Sequence, residues 1–237
     1  MKNEKMKKPS VLRVEQACRY YTKKEKRVRE DGTITRKSTV KAVDDVSFAL
    51  EAGEILGVIG ESGCGKSTLG RLIVRLEKTS GGAIYLEDQN VEDLIRHDRL
   101  QFRRKMQMVF QNPFDTFDPH MSIEKILVSA MKLHGIGNSP EERREIALER
   151  LTASGLLPAK DFLGRFPHEL SGGQLQRISI LRSMLLSPAV IVADEPVSML
   201  DVSIRADIIN LLYETAKKEN TASVFISHDI TTTRYIS

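Results

Sequence analysis

Two hydrophobic periods alternate along the chain and predict strands separated by helices. Val40 to Leu50 alternates apolar and polar residues, which is typical of a half-buried strand. Short, largely apolar runs, typical of strands buried on both faces, cover Ile55 to Ile59, Val190 to Asp194 and Thr221 to Ser227. Further strand-like stretches are Val11 to Tyr21, Ala83 to Leu86 and Met106 to Gln111.

Helical spacing fills the segments between these strands. Ile123 to Leu133 and Pro140 to Leu151 have helical periodicity, and a proline followed by two glutamates suits a first helical turn. Apolar residues from Leu175 to Leu185 and from Ile204 to Leu212 are spaced for one face of a helix. Leu69 to Leu76 is expected to begin a helix. The alternation predicts an α/β fold with a mostly parallel sheet covered on both faces.

Polar segments mark the connections. Thr22 to Ser38 is rich in lysine and arginine and contains the turn signal Glu30-Asp-Gly32, so an exposed hairpin or loop is predicted there. Pro113 and Pro119 bracket a loop that contains two phenylalanines.

One glycine-rich stretch predicts a phosphate site. Gly60-Glu-Ser-Gly-Cys-Gly-Lys-Ser-Thr68 fits G-x-x-x-x-G-K-[ST] without a mismatch. It lies between a predicted strand and a predicted helix, so backbone N–H groups and the positive end of the helix dipole would face one point. Gly60, Gly63 and Gly65 allow close approach to phosphate oxygens. Lys66 can reach the β- and γ-phosphates and Ser67 can offer its hydroxyl to Mg²⁺, whereas a turn that binds nothing is disfavoured by these flanks.

Side chains at the ends of later strands add candidate chemistry. Asp194 follows a buried strand and can hold Mg²⁺, while Glu195 can act as a general base on water. Gln111 can contact both Mg²⁺ and the attacking water, and His228 can contact the γ-phosphate or position the water. Gln111 and His228 are candidates for function only because the phosphate loop and the strand-end acids are also present, since a lone residue of either type is usually structural.

A second anion-binding device is predicted at Ser171-Gly-Gly-Gln174, where a helix begins. A serine hydroxyl, glycine N–H groups and the helix dipole all favour an anion there. The alternative is a flexible turn. Because one loop already holds the phosphates, a second site suggests that the nucleotide of another molecule is capped.

Composition limits the classes of protein. The 237 residues are 41% hydrophobic and 29% charged, as in an ordinary globular protein, and the sequence has no apolar run near the ~20 residues that span a bilayer. A net charge of +4 is modest, so a solvated basic face is favoured over nucleic acid binding, and no nucleic acid partner is expected. Cys18 and Cys64 form no metal or disulfide pattern, which favours a reducing cytosol.

The motifs together resemble those of ATP-binding cassette (ABC) ATPases. The phosphate loop, Gln111, the Ser171 segment, the acidic strand end and His228 occur in that family's order and approximate spacing over nearly the whole chain. A closer resemblance is to ATP-binding subunits of oligopeptide, dipeptide and nickel importers. It rests on the segments Val40 to Phe48, Gly60 to Gly65, Gln107 to Pro113 and Phe166 to Arg177.

The resemblance implies a fold and a set of roles. The fold is a P-loop NTPase core with a mostly parallel sheet, an antiparallel β subdomain and a helical subdomain at about residues 113–185, all in one domain. Tyr20 would stack on adenine, with Tyr21 as its rival, and Asp201 would couple two sites across a dimer. ATP-binding residues would be Tyr20, Gly60, Ser62, Gly63, Cys64, Gly65, Lys66, Ser67, Thr68, Ser171, Gly172, Gly173, Gln174 and Asp201. Ser67, Gln111 and Asp194 would hold Mg²⁺, and Glu195, His228 and Gln111 would be catalytic.

The resemblance also implies partners and a location. The chain would dimerise with itself or with a sister ATPase, bind transmembrane permease subunits through the loop from Gln111 to about Ile136, and work at the cytoplasmic face of the cell membrane. An extracytoplasmic substrate-binding protein would contribute indirectly. Family members normally continue beyond a position equivalent to Ser237, so a truncated C-terminus is expected.

Two other functions remain open. The same ATPase could serve export, DNA repair or translation, although the interval from Gln111 to Ser171 is too short for a long coiled coil and only one cassette is present. A nucleotide-binding regulatory module without turnover is the second alternative. The presence of Lys66, Asp194, Glu195 and His228 favours an active site.

Overall fold

The computed structural model of the chain describes residues 10–28 and 34–229, with side chains described for 10–22 and 38–229. The strands are β1 Ser10–Val28, β2 Ile34–Glu51, β3 Ile55–Ile59, β4 Gly81–Leu86, β5 Gln89–Asn90, β6 Met106–Val109, β7 Val190–Asp194 and β8 Ala222–Ser227. The helices are α1 Lys66–Ile73, α2 Val91–His97, α3 Arg99–Lys105, α4 Ile123–Leu133, α5 Pro140–Ala153, α6 Ala159–Leu163, α7 Gly172–Met184 and α8 Val202–Lys218. Two 3-10 turns cover Pro113–Thr116 and Pro167–Glu169.

The strands form two sheets of different type. An antiparallel sheet has the order β2-β1-β4-β5, and a parallel sheet has the order β3-β8-β7-β6. The parallel strands need crossover connections, which the helices supply. The second sheet is largely apolar in β7 and β8, and every residue of those two strands is buried, as expected when helices cover both faces.

The basic segment predicted as a hairpin or loop lies within a long hairpin. Strands β1 and β2 pair from Ser10 with Glu51 out to Val28 with Ile34. The predicted strands at Val11 to Tyr21 and Val40 to Leu50 are therefore extended at their distal ends. The turn signal at residues 30–32 lies outside the described residues.

Side-chain caps explain where several helices begin. Asn90 accepts a hydrogen bond from the N–H of Glu92 at 2.9 Å, and Asp98 accepts one from Gln101 at 2.8 Å. Ser139 caps α5, whose first residue is Pro140 as the sequence predicted. Each of these oxygens satisfies a backbone donor that has no partner within its helix.

The first helix differs from its predicted bounds. It begins at Lys66, inside the phosphate loop, and ends at Ile73 rather than at Leu76. Arg75 has a positive φ of 56°, which terminates the helical path. The earlier start matters because it places Lys66 and Ser67 in the first turn of α1.

Three hydrophobic clusters form the core. The first joins the antiparallel sheet, α1 and one face of the parallel sheet, and its largest members include Leu12, Leu50, Leu72, Leu86 and Phe102. The second lies among the helices α4 to α7 and includes Ile123, Leu127, Met131, Leu151 and Leu163. The third packs α7 and α8 on the other face of the parallel sheet and includes Ile180, Ile191, Ile208, Leu212 and Phe225. Among the described helices, none has the length and hydropathy that a membrane span requires.

Candidate active site

The candidate residues meet at one edge of the parallel sheet. Gly60 follows β3, Gln111 follows β6, Asp194 ends β7 and His228 follows β8. Because all four strands are parallel, their carboxyl ends lie at the same edge, where ligands bind in open α/β sheets.

The phosphate loop is shaped by a glycine that packs against the other sheet. Gly65 has a φ of 106°, and a Cβ at this position would lie 1.9 Å from the carbonyl oxygen of Ala42 in β2. Only glycine fits there, both for its backbone conformation and for space. Gly65 precedes α1 and provides no side-chain cap, so N–H groups at the start of this helix remain available to an anion.

The ammonium of Lys66 is held within the loop. It donates hydrogen bonds to the carbonyl oxygens of Gly60 and Glu61, each at 2.7 Å. The residue is buried, and the Sγ of Cys64 lies 4.0 Å from its Nζ. Ser62 and Cys64 are exposed on the loop, and Thr68 is half-buried on α1.

Asp194 is a buried carboxylate beside a hydroxyl. The Oγ of Ser67 donates to its Oδ1 at 2.9 Å, and the residue is 5% exposed. Burial raises the pKa of Asp194, and the hydrogen bond from Ser67 opposes that rise. A buried carboxylate of this kind is stabilised by a cation.

The donor set at this position fits Mg²⁺. Among the described residues, no group of three or more His, Cys, Asp or Glu side chains is arranged to hold a metal ion. Asp194, the hydroxyl of Ser67 and the nearby amide of Gln111 are instead oxygen donors, which Mg²⁺ prefers together with phosphate oxygens. The observation that supports this fit is the raised pKa of the buried Asp194 carboxyl, which Ser67, Arg71 and Lys66 offset only in part.

Glu195 joins two other strand ends. Its Oε2 accepts a hydrogen bond from Nε2 of Gln111 at 3.2 Å, and Nδ1 of His228 lies 3.2 Å from the same oxygen. Glu195 has a φ of 46°, a conformation that is uncommon for a residue with a side chain, and its N–H donates to the carbonyl of Ile226 at 3.0 Å. A strained backbone therefore directs this carboxylate to the place where Gln111 and His228 meet.

The second predicted anion-binding site, at residues 171–174, lies at the start of α7, which its own side chains cap. The Oγ of Ser171 accepts a hydrogen bond from the N–H of Gln174 at 3.3 Å, and the Gln174 side chain accepts one from the N–H of Ser171 at 3.0 Å. This reciprocal pair is a capping box. Within the described part of the chain, no hydrogen bond joins residues 171–174 to the phosphate loop. Asp201 precedes α8, is exposed and does not cap that helix with its side chain.

Tyr20 and Tyr21 have different surroundings. The Tyr20 hydroxyl donates to Asp44, which raises the pKa of Tyr20, and the Lys41 ammonium lies 5.4 Å from the centre of its ring. The Tyr21 hydroxyl donates to Glu77. Lys41 immediately precedes Ala42, whose carbonyl lies against Gly65 of the phosphate loop, and Asp44 follows Ala42 by two residues. No sequence motif indicated either residue as part of the site. Tyr20 pairs with Lys41 across the sheet, a register that no local pattern indicates.

A groove of about 1220 Å³ extends from the site along the helices. Its lining includes Ser67, Gln111 and Asp194 of the candidate site together with Phe117, Ile126 and Leu133. Residues of β6, of α4 and of the loop that follows Gln111 contribute to it.

Comparison with protein families identifies the chain at this point. The model of a family described as ABC transporter matches residues 43–198. The chain belongs to the ABC transporter family. The matched range contains the phosphate loop, Gln111, the capped start of α7 and both strand-end acids, but ends before His228.

Individual relatives of this ABC transporter family member support the closer resemblance. The chain is 44% identical over 205 residues to the oligopeptide transport ATP-binding protein OppF of Bacillus subtilis, covering 86% of this chain and 67% of that protein. It is 47% identical over 208 residues to AppF of the same organism, covering 87% and 62%. It is 44% identical to the dipeptide transport ATP-binding protein DppF of Escherichia coli, covering 87% of this chain and 61% of that protein. The chain thus spans about three fifths to two thirds of the length of these relatives.

Solved structures confirm the fold class. A dimeric structure of MJ0796, described as a bacterial ABC transporter cassette, has a TM-score of 0.77 and 28% sequence identity, covering 94% of this chain and 90% of that one. A post-hydrolysis state of the same cassette, bound to ADP and Pi, gives the same values. The predicted P-loop NTPase core with its parallel and antiparallel sheets is therefore correct.

Proposed function

We propose that this chain is the ATP-binding and ATP-hydrolysing subunit of an ABC importer for oligopeptides or dipeptides. The observation that carries the proposal is the meeting of Glu195, Gln111 and His228 beside the Ser67–Asp194 pair. A base, a neutral amide and a metal-binding pair at one sheet edge suit the in-line attack of water on a γ-phosphate. The relatives named as oligopeptide and dipeptide transport proteins support the class of substrate.

The phosphates would lie against the loop and the start of α1. Lys66 would exchange the carbonyls of Gly60 and Glu61 for β- and γ-phosphate oxygens, with Gly63, Gly65 and Thr68 giving backbone donors. Ser62 and Cys64 would contribute through their own N–H groups. The ammonium is already aimed into the loop, which supports this assignment.

Ser67, Asp194 and Gln111 would hold Mg²⁺. Bound there, the ion neutralises charge on the β- and γ-phosphates and aligns them. Asp194 would lose the energetic penalty of its buried charge at the same time.

Glu195 would accept a proton from the attacking water. Its carboxylate already contacts Gln111 and His228, which would hold the water and the γ-phosphate in line with that oxygen. The left-handed backbone at Glu195, directly after β7, directs the carboxylate toward this position.

The adenine would stack on Tyr20. Asp44 and Lys41 hold the Tyr20 ring near Ala42, which contacts the phosphate loop, whereas Tyr21 is bonded to Glu77. This difference favours Tyr20 over its rival.

Ser171, Gly172, Gly173 and Gln174 would close on ATP held by a second subunit. The exposure of Ser171 at the start of α7 supports action across a dimer, and exposed Asp201 would couple the two sites. The dimeric structures of a similar cassette support the same arrangement. The partner would be a second copy or a sister ATPase.

Permease subunits would bind in the groove beside α4. The groove begins at Gln111 and Asp194, so an inserted segment would sense the nucleotide site. The separate hydrophobic cluster of α4 to α7 supports a helical subdomain at about residues 113–185 within one domain. In this arrangement the chain lies peripherally at the cytoplasmic face of the membrane, and a substrate-binding protein outside delivers the peptide.

Substitutions of Glu195 and Lys66 test the ATPase assignment. We expect Glu195→Gln to keep Mg²⁺-ATP affinity but to lower kcat by about 100-fold or more, because general base catalysis contributes roughly 10²–10⁴. Lys66→Ala should lose tight ATP binding, measured by equilibrium titration. Glu145→Gln, an exposed glutamate on α5, is the matched control.

Two results would contradict these roles. Hydrolysis at the wild-type rate by Glu195→Gln would show that Glu195 is not the base. Tight ATP binding without turnover by the wild-type chain would favour the regulatory module instead.

A further inference from the structure

A buried amide joins the helix that begins at Ser171 to the peptide that leads into Gln111. Gln176 lies on α7 and is 0% exposed. Its Nε2 donates to the carbonyl oxygen of Phe110 at 3.3 Å, across 66 residues of sequence. That carbonyl belongs to the peptide bond between Phe110 and Gln111, so the hydrogen bond acts on the backbone that carries the candidate catalytic amide.

Burying the Gln176 amide at this position costs more free energy than burying an apolar side chain of similar volume would. Its Oε1 is buried and accepts no hydrogen bond from the described residues. Ser183, which lies two turns further along the same face of α7, satisfies its hydroxyl on the Ser179 carbonyl at 3.1 Å. A buried polar atom without a partner costs free energy, so an apolar side chain would suit mere packing better.

We propose that Gln176 is a positioning residue for ATP hydrolysis. By holding the Phe110 carbonyl, it fixes the Phe110–Gln111 peptide and thereby the reach of Gln111 to Glu195, observed at 3.2 Å. The inference rests on the proposed ATPase function. Gln176 is fully buried and donates to the Phe110 carbonyl, so it acts through Gln111.

The position of Gln176 in α7 gives this contact a second consequence. It follows Ser171 by five residues in one rigid helix. A nucleotide of the second subunit that pulls on the start of α7 therefore also moves the peptide before Gln111. The hydrogen bond from Gln176 to Phe110 therefore links two nucleotide sites: the one of the second subunit, at Ser171, and the one of the same chain, at Gln111.

Gln176→Met is the first variant because it keeps the volume and loses the donor. We expect kcat for ATP to fall about fivefold to tenfold, the effect of losing one positioning hydrogen bond, with KM unchanged. Ser183→Ala is the matched control, since it removes a buried hydroxyl from the same helix face without touching Phe110. The control should retain the wild-type kcat.

Gln176→Glu supplies a pH readout that a packing role would not give. A protonated carboxyl can donate its O–H to the Phe110 carbonyl, whereas an ionised one cannot. Burial would raise the pKa of this carboxyl. The ratio of the variant's kcat to the wild-type kcat should therefore increase as the pH falls, while the ratio for Gln176→Met stays constant.

Hydrogen exchange separates this inference from the proposed function. The amides of Gln111 and Asn112 should exchange faster in Gln176→Met than in wild type or Ser183→Ala. Unchanged kcat together with unchanged exchange in Gln176→Met, or a pH-independent ratio for Gln176→Glu, would overturn the role of Gln176. An inactive wild-type chain would overturn the ATPase proposal, and the exchange of these amides would still decide whether Gln176 orders the loop.

Discussion

At the scale of single residues, the site concentrates groups that oppose folding. Asp194 is a charge buried at a strand end, and Glu195, its neighbour, has a left-handed backbone. Neither feature stabilises the chain by itself. Both place a carboxylate where a metal ion and a water molecule would meet, which is how strained positions are commonly used at active sites.

The buried charge of Asp194 gives a pH-dependent stability. Because burial raises its pKa, the folded chain binds this proton more tightly than the unfolded chain. The penalty for the ionised form is full above the folded pKa, and it is lost as the pH falls from the folded pKa to the lower, unfolded pKa. Asp194→Asn, without Mg²⁺, should therefore be more stable than wild type near neutral pH, because it removes the buried charge.

Chemical denaturation across pH measures this difference. The advantage of Asp194→Asn should shrink in acid, and Asp161→Asn, an exposed carboxylate on α6, is the control. An advantage of constant size at every pH would contradict the argument.

At the scale of elements, helix α7 begins with a side chain that serves two purposes. Ser171 caps the helix through the N–H of Gln174 and is also proposed to meet a phosphate of the second subunit. An aspartate would keep the cap and introduce a negative charge that repels phosphate. The two roles can therefore be separated by substitution.

We expect Ser171→Asp to unfold at the wild-type denaturant midpoint and to fail to form an ATP-bound dimer in the Glu195→Gln background. Ser171→Ala should lose about 1 kcal/mol of stability, the usual cost of losing an N-cap. Light scattering with and without Mg²⁺-ATP reports the dimer. Dimerisation of the Ser171→Asp chain as tight as that of its parent would rule out a phosphate contact.

Elements with a regular period were predictable from the sequence. Helix α4 has the predicted bounds, Ile123–Leu133, because its apolar spacing and the Ser122 cap indicate the same start. Strand β7 was also predicted correctly, because a short apolar run that ends in an acid allows few alternatives. Helices α2, α3 and α6 were missed: they have only five to seven residues, too few to establish a period.

The limits of sequence reading are similar at the site. Motif order indicated that Gln111, Glu195 and His228 belong together, and the parallel strand ends explain why they meet. The capping box at Ser171 is local, because its two hydrogen bonds join residues three apart in the pattern S-x-x-Q, whereas the contact of Gln176 with Phe110 depends on tertiary packing. No local pattern encodes a hydrogen bond across 66 residues.

At the scale of the whole molecule, the groove beside α4 is where the chain would meet its membrane partners. Leu133 lines this groove and is 64% exposed. Leu157 is 65% exposed and does not line the groove, so it provides a matched control. Exposed apolar residues at the mouth of a large groove are typical of an interaction site.

Purification from the native membrane tests this surface. We expect the wild-type chain and Leu157→Asp to recover two multi-span subunits and a second ATPase, and Leu133→Asp to lose the multi-span subunits, because a charge would be buried against them. Recovery of ribosomes or DNA-associated proteins by the wild-type chain would remove the import proposal and leave the ATPase chemistry intact.

The contact of Gly65 with Ala42 couples the parallel sheet, which carries the phosphate loop, to the antiparallel sheet, which contains Ala42. A Cβ there would lie 1.9 Å from a backbone oxygen, so the loop takes its shape by resting on β2. Any fluctuation that separates the antiparallel sheet from the parallel one also releases the loop. Loss of nucleotide binding should thus precede global unfolding. A bound nucleotide would in turn stabilise the packing of the two sheets against each other, although they share no strand.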